Sequence, residues 1–270
     1  MNPTVPRWLR IYQPRPQAAL RLLCLPHAGG AASFFREWPA LMPDQIELVA
    51  VQYPGREDRF GDAMVDDMAT LCDELAVVVR RHVRPPYALF GHSLGAAVSF
   101  ETARLLEDSA AGAAWLFASG RHAPQDVRGG TVHLGDDEGL VGELRRLGGT
   151  SSELLADPGV REIVLSSLRN DYRLAETYRC RNQRPLACPL TAIVGDVDPE
   201  VDPAEAGRWA ALTRAAFQLA VLPGDHFYLI RQRRAVTTVI ARALIAGSTA
   251  QLADRSAARS AARSCWPSTP

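Results

Sequence analysis

Short runs of apolar residues alternate along the chain with longer segments whose apolar positions recur at helical spacing. This alternation predicts an α/β fold, a mostly parallel sheet with helical crossovers packed on both of its faces. The predicted strands are Leu20–Leu25, Ile46–Val51, Tyr87–Phe90, Ala113–Ala118, Pro189–Val194 and Phe217–Leu222. The predicted helices are Asp66–Val83, Leu94–Leu106, Glu138–Leu147, Val160–Tyr178, Ala204–Leu212 and Phe227–Ile245.

The stretch between Gly120 and Cys188 is too long for a simple crossover between two strands. It contains two of the predicted helices, so we interpret residues of about 121–188 as an insertion that packs over the sheet. After Gly247 the sequence is rich in Ala, Arg and Ser, which predicts a disordered tail over 248–270. The expected organisation is one domain over 1–247 that includes this insertion.

A G-x-S-x-G motif, Gly91 to Gly95, lies between a predicted strand and a predicted helix. In that context the serine of the motif sits on a tight, strained turn and serves as a nucleophile. Gly91 and Gly95 provide the clearance that such a turn requires. The motif therefore predicts Ser93 as the nucleophile and the backbone N–H of Leu94 as an oxyanion donor at a helix N-terminus.

A serine hydroxyl needs a base to take its proton, and six histidines compete for that role. His226 follows the last predicted strand and directly precedes the last predicted helix, where a parallel sheet carries its active-site loops. We therefore predict His226 as the base. His92 is next to the serine, but its side chain must point away on the turn, so we expect it to support the turn instead.

The acid that orients the histidine is expected between Ser93 and His226 in chain order. Asp196 and Asp198 both follow the predicted strand Pro189–Val194. Asp198 is favoured because it lies a few residues beyond the strand end and because the following Pro199 stiffens its backbone. Asp196 is the alternative, with the other role of holding the loop by hydrogen bonds.

A second oxyanion donor is expected from the loop after the first long strand, Pro26–Gly30, whose small residues allow close approach to a carbonyl. We assign that role to the backbone N–H of Ala28. A glycine-rich loop can also bind phosphate, but neither G-K-[ST] nor G-x-G-x-x-G occurs in the chain.

Composition narrows the class of protein further. The formal net charge of the 270 residues is zero, which argues against a nucleic-acid or general membrane-surface binder, and all 30 cationic residues are arginine. No apolar stretch approaches the length of a membrane helix, and the start lacks the apolar region of a secretory signal. The five cysteines have no metal-site spacing, so we expect free thiols, no metal and a cytoplasmic location.

From about Leu22 to Ile245 the chain resembles the type II (editing) thioesterases that accompany polyketide and nonribosomal peptide synthases. They are members of the α/β-hydrolase superfamily. The segments that carry the resemblance include Leu25–Gly30, Gln52–Arg59, Phe90–Ala96, Ser119–Arg121, Leu144–Thr150, Asp171–Tyr178, Gly195–Pro199 and Gly224–Phe227. Among them, Tyr53-Pro54-Gly55-Arg56-Glu57 and Leu147-Gly148-Gly149-Thr150 are the more specific ones.

The resemblance implies an α/β-hydrolase fold and hydrolysis of acyl groups held as thioesters on the phosphopantetheine arm of an acyl or peptidyl carrier protein. It also implies that the insertion forms a helical lid and that the enzyme removes stalled or misprimed chains from the synthase. The enzyme itself is expected to need no cofactor. We expect a monomer. Possible contacts with an acidic carrier are Arg15, Arg56, Arg59, Arg145, Arg146, Arg179 and Arg181.

Other functions remain open at this point. The predicted triad does not distinguish thioesters from oxygen esters, so a carboxylesterase or lipase is one alternative and an acyltransferase is another. A catalytically silent hydrolase fold used for binding is the alternative from a different class, although all three triad residues are present.

The apolar side chains of the insertion line an acyl site or pack the lid, and packing is the expected role for most of Leu140, Leu144, Leu147, Val164, Leu168 and Tyr172.

Overall fold

The apolar runs form one sheet in the computed structural model, which describes residues 6–107, 112–147, 158–180 and 184–247. Its strands are β1 (Leu9–Arg10), β2 (Leu20–Leu25), β3 (Ile46–Val51), β4 (Tyr87–His92), β5 (Trp115–Ser119), β6 (Leu190–Gly195) and β7 (Phe217–Leu222). The spatial order is β1-β3-β2-β4-β5-β6-β7. The pair β1·β3 is antiparallel and every other pair is parallel. The predicted fold class is confirmed.

Helices connect these strands as expected for parallel crossovers. They are α1 (Met68–His82), α2 (Leu94–Glu107), α3 (Asp137–Arg146), α4 (Pro158–Thr177), α5 (Pro203–Gly207), α6 (Tyr228–Arg231) and α7 (233–247). The start of α1 follows its sequence, because the Asp67 carboxylate accepts a hydrogen bond from the Thr70 amide at 2.8 Å. Among the described residues, no helix is long and apolar enough to cross a membrane.

Two sequence-based boundaries were wrong. The predicted last helix, Phe227–Ile245, is two helices, because the chain turns at Gln232 between α6 and α7. The helix predicted over Ala204–Leu212 is α5 followed by a 3₁₀ turn over Arg208–Leu212. The edge strand β1 was not predicted, since two residues carry no periodic pattern. The tail over 248–270 and the segment 148–150 lie outside the described residues.

The sheet is buried on both faces. Along β2, Leu23 and Leu25 pack with helices α1 and α2, while Leu22 and Cys24 pack on the opposite face against α7 and the 3₁₀ turns that follow β2. Successive side chains of a strand point to opposite faces, so a strand covered on both sides reads as a continuous apolar run. This burial explains why β2 to β6 are nearly uniformly apolar.

The strand register brings several loops to one edge of the sheet. Leu25 pairs with Gly91, and His92 pairs with Ser119. Gly195 pairs with Leu222 at the ends of β6 and β7. The loops that follow these strands therefore emerge side by side, and ligands bind at this carboxyl edge in open parallel sheets.

Candidate active site

Ser93 occupies a strained turn between β4 and α2. Its φ of 54° is a left-handed value that a residue with a side chain rarely adopts. A Cβ added at Gly91 would lie 2.0 Å from the Gly95 carbonyl oxygen, and one added at Gly95 would lie 2.3 Å from the Leu25 carbonyl oxygen. Both glycines are therefore required by backbone clearance, and the turn holds the serine at the carboxyl edge of the sheet.

His226 and Asp198 form a buried pair at the same edge. The His226 Nδ1 lies 3.0 Å from both carboxylate oxygens of Asp198. The Glu200 amide donates to the Asp198 Oδ1 at 2.9 Å, which holds the carboxylate in place. A carboxylate can only accept, so the Nδ1 of His226 carries the proton and Nε2 is left to act as a base.

Asp196, the alternative acid, and Asp225, which directly precedes His226, have other partners. The Asp196 Oδ1 accepts from the Gly224 amide at 2.8 Å, so this side chain holds the loop after β6 against the loop after β7. The Asp225 Oδ1 accepts from the Phe227 amide at 2.9 Å. Asp198 is therefore the carboxylate that faces His226, as the sequence predicted. Asp196 instead holds the loop by a hydrogen bond, the other role considered for it.

A cavity of about 340 Å³ opens beside this pair and is lined by both Ser93 and His226. Helices α3 and α4, which lie between β5 and β6, pack on each other through Leu144 and Leu168 and form one wall. Of the six apolar insertion positions considered, four line the cavity, more than expected: Leu144, Leu147, Leu168 and Tyr172. Ser93, His226 and the apolar wall thus share one cavity.

Of the two predicted oxyanion donors, Ala28 lines this cavity, and Leu94 directly follows Ser93 in the chain. Leu94 is the first residue of α2, and amides in the first turn of a helix have no acceptor within the helix. Ala28 lines the cavity and packs against the apolar cluster of α3 and α4. Within the parts of the chain described, no protein acceptor is bonded to the Ala28 amide.

His92 is packed behind the residues that line the cavity, with its ring centroid 5.0 Å from that of His226. It is fully buried, and its Nδ1 lies 2.9 Å from the Ser119 Oγ, which in turn lies 2.7 Å from the Tyr228 hydroxyl. Burial lowers the pKa of His92 well below its ordinary value, so the ring is neutral. Sequence reasoning assigned no role to Ser119 and Tyr228, although Ser119 ends β5 within a segment that carries the resemblance, and Tyr228 begins α6.

The charged residues around the cavity are mostly paired. Arg146 contacts Glu143, with a shortest distance of 2.7 Å, and also Glu200. Glu176 accepts from the Val132 amide at 2.9 Å and contacts the His133 ring. These pairs leave the mouth of the cavity without a large excess of either charge.

Three of the arginines considered for carrier docking are not free for it. Arg15 donates to backbone carbonyls, among them that of Pro43 at 2.7 Å. Arg56 pairs with Asp171, and Arg59 donates to Asp62 at 2.8 Å. All three side chains are largely buried. Of the remaining candidates, Arg145, Arg146 and Arg179 are exposed and Arg181 lies outside the described residues.

No group of three or more His, Cys, Asp or Glu side chains in the described ranges could hold a metal ion. Among the described residues, Cys24, Cys72, Cys180 and Cys188 form no disulfide. Burial raises the pKa of Cys188 to about 12, and it raises that of Cys24 as well. These thiols are therefore protonated near neutral pH.

Comparison with known proteins agrees with this geometry. The thioesterase domain family matches residues 20–244. A probable cadicidin biosynthesis thioesterase of Streptomyces griseus is 44% identical over 241 residues, which cover 89% of this chain and 67% of the relative.

Two solved structures are also similar. The type II thioesterase BorB of the borrelidin cluster has a TM-score of 0.81 and 44% identity, over 87% of this chain and 96% of BorB. The RedJ thioesterase of the prodiginine pathway in Streptomyces coelicolor has a TM-score of 0.80 and 33% identity, over 85% and 87% of the two chains. The resemblance to type II thioesterases is confirmed, and the chain belongs to the thioesterase domain family.

Proposed function

We propose that the chain is a serine thioesterase in which Ser93 is the nucleophile, His226 its general base and Asp198 the group that orients His226. The observation that carries the proposal is the cavity of about 340 Å³ that Ser93 and His226 both line, with the Asp198 carboxylate 3.0 Å behind the imidazole. Membership of the thioesterase family supports the same chemistry.

In the first half-reaction, Ser93 Oγ attacks the thioester carbonyl while His226 Nε2 takes its proton. The carbonyl oxygen becomes an oxyanion, which accepts hydrogen bonds from the Ala28 and Leu94 amides. The C–S bond then breaks, His226 returns the proton to the departing thiolate, and an acyl ester remains on Ser93.

In the second half-reaction, water takes the place of the thiol. His226 removes a proton from the water as it attacks the acyl ester, and the same two amides hold the second oxyanion. Collapse of this intermediate breaks the ester bond, returns the proton to Ser93 and releases the carboxylic acid. No redox partner or metal is needed to balance either step.

The proposed substrates are acyl groups carried on the phosphopantetheine arm of an acyl or peptidyl carrier protein. Similarity to a cadicidin biosynthesis thioesterase and to the borrelidin-cluster enzyme BorB supports this substrate class. Stalled or misprimed chains on a polyketide or nonribosomal peptide synthase are the proposed natural targets. The phosphopantetheine belongs to the partner, so it is part of the substrate.

We further propose that α3 and α4 act as a lid within the insertion of about 121–188, and that the apolar wall they form receives the acyl chain. Such a lid excludes water from the cavity and gates access to Ser93. A location in the cytoplasm fits the lack of disulfides among the described cysteines, and the enzyme is proposed to act as a monomer. In this proposal residues 1–247 form the working domain.

The test is hydrolysis of a panel of acyl chains on a holo carrier protein, compared with the same chains on coenzyme A and with simple oxygen esters. We expect turnover of the carrier-bound thioesters with a clear preference over the esters, and no turnover by Ser93→Ala. Equal rates on ordinary esters would favour a carboxylesterase. Transfer of the acyl group to an added alcohol or amine would favour an acyltransferase.

A further inference from the structure

One buried carboxylate of helix α4, that of Asp171, contacts the loop Pro26–Gly30, which carries the proposed oxyanion donor Ala28. The Asp171 Oδ2 accepts from the Gly29 amide at 2.7 Å, and Gly29 directly follows Ala28. The same carboxylate receives both terminal nitrogens of Arg56, at 2.6 and 2.9 Å. The side chain of Asp171 is only 1% exposed, so these contacts are made away from bulk water. A two-pronged pair of this kind fixes direction as well as distance.

Arg56 holds the same loop from its other side. Its Nη1 also donates to the Gly30 carbonyl at 3.0 Å. Gln52 donates to the Arg56 carbonyl at 3.0 Å and accepts from the Ala32 amide at 2.8 Å. Backbone groups of residues 29, 30 and 32 are therefore tied into one buried network, and the Arg56–Asp171 pair is its centre.

Packing adds a second contact between α4 and the loop. Gly29 has a φ of +72°, and a Cβ added there would lie 3.0 Å from Leu168 Cδ1. Leu168 and Asp171 are three residues apart on α4 and so lie on one face of the helix. Ala28 itself packs against the cluster that contains Leu168. The helix thus touches the loop with one apolar and one charged side chain.

From these contacts we propose that Arg56 and Asp171 are positioning residues, which hold the Ala28 N–H in the orientation required to stabilise the oxyanion and couple that orientation to helix α4. The inference rests on the proposed function, because it gives the loop its role. A fixed donor is worth more than a mobile one, since a preorganised site needs no rearrangement as charge develops.

Because Arg56 and Asp171 carry opposite charges, their substitutions are expected to affect kcat to different extents. A carboxylate one peptide unit from the oxyanion site opposes the charge that forms there, and the Arg56 guanidinium neutralises that carboxylate. Loss of Arg56 leaves the opposing charge, whereas loss of the Asp171 charge removes it. Arg56→Gln is therefore expected to reduce kcat more than Asp171→Asn does, and adding Asp171→Asn to Arg56→Gln should recover part of the loss.

The test compares these three variants with the wild type on a carrier-bound or coenzyme A thioester, with active sites counted by titration. Asp171→Asn should lower kcat per active site by about 10- to 100-fold, because a small displacement of an aligned donor has effects of this size. The KM should change by less than about threefold, because neither Asp171 nor Arg56 lines the cavity that receives the acyl chain. Affinity for an alkyl boronic acid, which forms a tetrahedral anion on serine, should fall in parallel with kcat.

Glu47→Gln is the matched control. Glu47 is a buried carboxylate on β3 that accepts from the Arg15 amide at 2.7 Å, near the opposite edge of the sheet. It should lose stability to urea but keep its kcat within about twofold, as expected of a residue outside the network. If a single variant does not fold, the kcat of the double variant, Arg56→Gln with Asp171→Asn, is compared with that of the wild type. The double variant leaves no unpaired buried charge and is therefore expected to fold.

Two results would overturn the inference. One is a kcat per active site in Asp171→Asn equal to that of the wild type. The other is a loss of kcat in the three variants that parallels their loss of stability, without the larger loss in Arg56→Gln and the partial recovery in the double variant. Failure of the proposed function gives a different result. In that case the wild type itself would not hydrolyse the thioesters, and Ser93→Ala would change nothing.

Discussion

The imidazole of His226 faces the carboxylate of Asp198 symmetrically, with Nδ1 3.0 Å from each carboxylate oxygen. Both side chains are almost fully buried, at 2% and 0% exposure. An ion or dipole pair in such an environment is only weakly screened by solvent. The carboxylate therefore fixes both the ring orientation and the tautomer of His226. In the proposed mechanism it also stabilises the imidazolium that forms when His226 takes the proton of Ser93.

Asp198→Asn should lower kcat by about 10³- to 10⁴-fold, because an amide in this place favours the wrong imidazole tautomer. Asp196→Asn is the control: its contact is with the Gly224 amide, so kcat should stay within about threefold. Both variants are to be assayed under single-turnover conditions on one acyl thioester. A larger loss in Asp196→Asn than in Asp198→Asn would mean that the orienting acid is misassigned.

Gly95→Ala should prevent the turn around Ser93 from forming, because the new Cβ would lie 2.3 Å from the Leu25 carbonyl oxygen and 2.7 Å from that of Pro26. Backbone atoms cannot yield as a flexible side chain can, so we expect a loss of several kcal/mol in the free energy of unfolding, of the order seen for severe overpacking. Urea unfolding followed by circular dichroism measures it.

Gly142→Ala provides the comparison for this substitution. A Cβ at Gly142, inside α3, meets no atom within 4 Å. Alanine is the better helix former by about 1 kcal/mol, so this variant should be as stable as the wild type or more so. Equal effects of the two substitutions would show that the clearance at Gly95 does not matter.

Stability should fall as the medium becomes acidic below about pH 6.5, in part because of His27. Burial, and then the nearby His226, lowers the native pKa of His27 from 6.5 to about 3. Above pH 6.5 the ring is neutral in both states and contributes no pH dependence. Between 6.5 and 3 the unfolded chain binds a proton that the native protein does not, which costs up to about 1.4 kcal/mol per pH unit.

His27→Gln removes this contribution, so its unfolding free energy should depend less steeply on pH than that of the wild type. The measurement is a set of urea titrations between pH 4 and 7, at matched ionic strength. Parallel pH curves for the two proteins would contradict a neutral His27 in the native state. The His27 ring also packs between Phe34 and Phe227, each at a centroid distance of 4.8 Å, so the variant is expected to be less stable at every pH.

Tyr228→Phe and Tyr53→Phe remove the same atom in two different environments. The Tyr228 hydroxyl lies 2.7 Å from the Ser119 Oγ, so its loss should lower the free energy of unfolding by about 1–2 kcal/mol. The Tyr53 hydroxyl is buried, and within the described residues it has no hydrogen-bond partner. Its removal should be neutral or stabilising, and differential scanning calorimetry of both variants tests the contrast.

The sequence could predict that Ser93, Asp198 and His226 come together because each follows a strand, and parallel strands end at one edge. It could also predict the strained turn, since Gly91 and Gly95 flank the serine at fixed spacing. These are local patterns combined with one rule of topology. The wall formed by α3 and α4 was expected mainly as packing, because periodicity does not tell which apolar side chains face a cavity.

Long-range polar contacts could not be predicted in this way. Arg56 and Asp171 are 115 positions apart, and the sequence does not show which distant group a buried arginine contacts. The same holds for Arg15, whose guanidinium binds carbonyls near Pro43. The break between α6 and α7 at Gln232 was also missed, since neither Gly nor Pro marks it in the sequence.

The most direct test of the account is labelling with a fluorophosphonate, followed by peptide mapping of the modified residue. The label should be found on Ser93 alone, should be absent in Ser93→Ala, and should form much more slowly in His226→Ala, because the serine then lacks its base. A label on another residue, or equal labelling of the wild type and Ser93→Ala, would contradict the proposed nucleophile and the mechanism built on it.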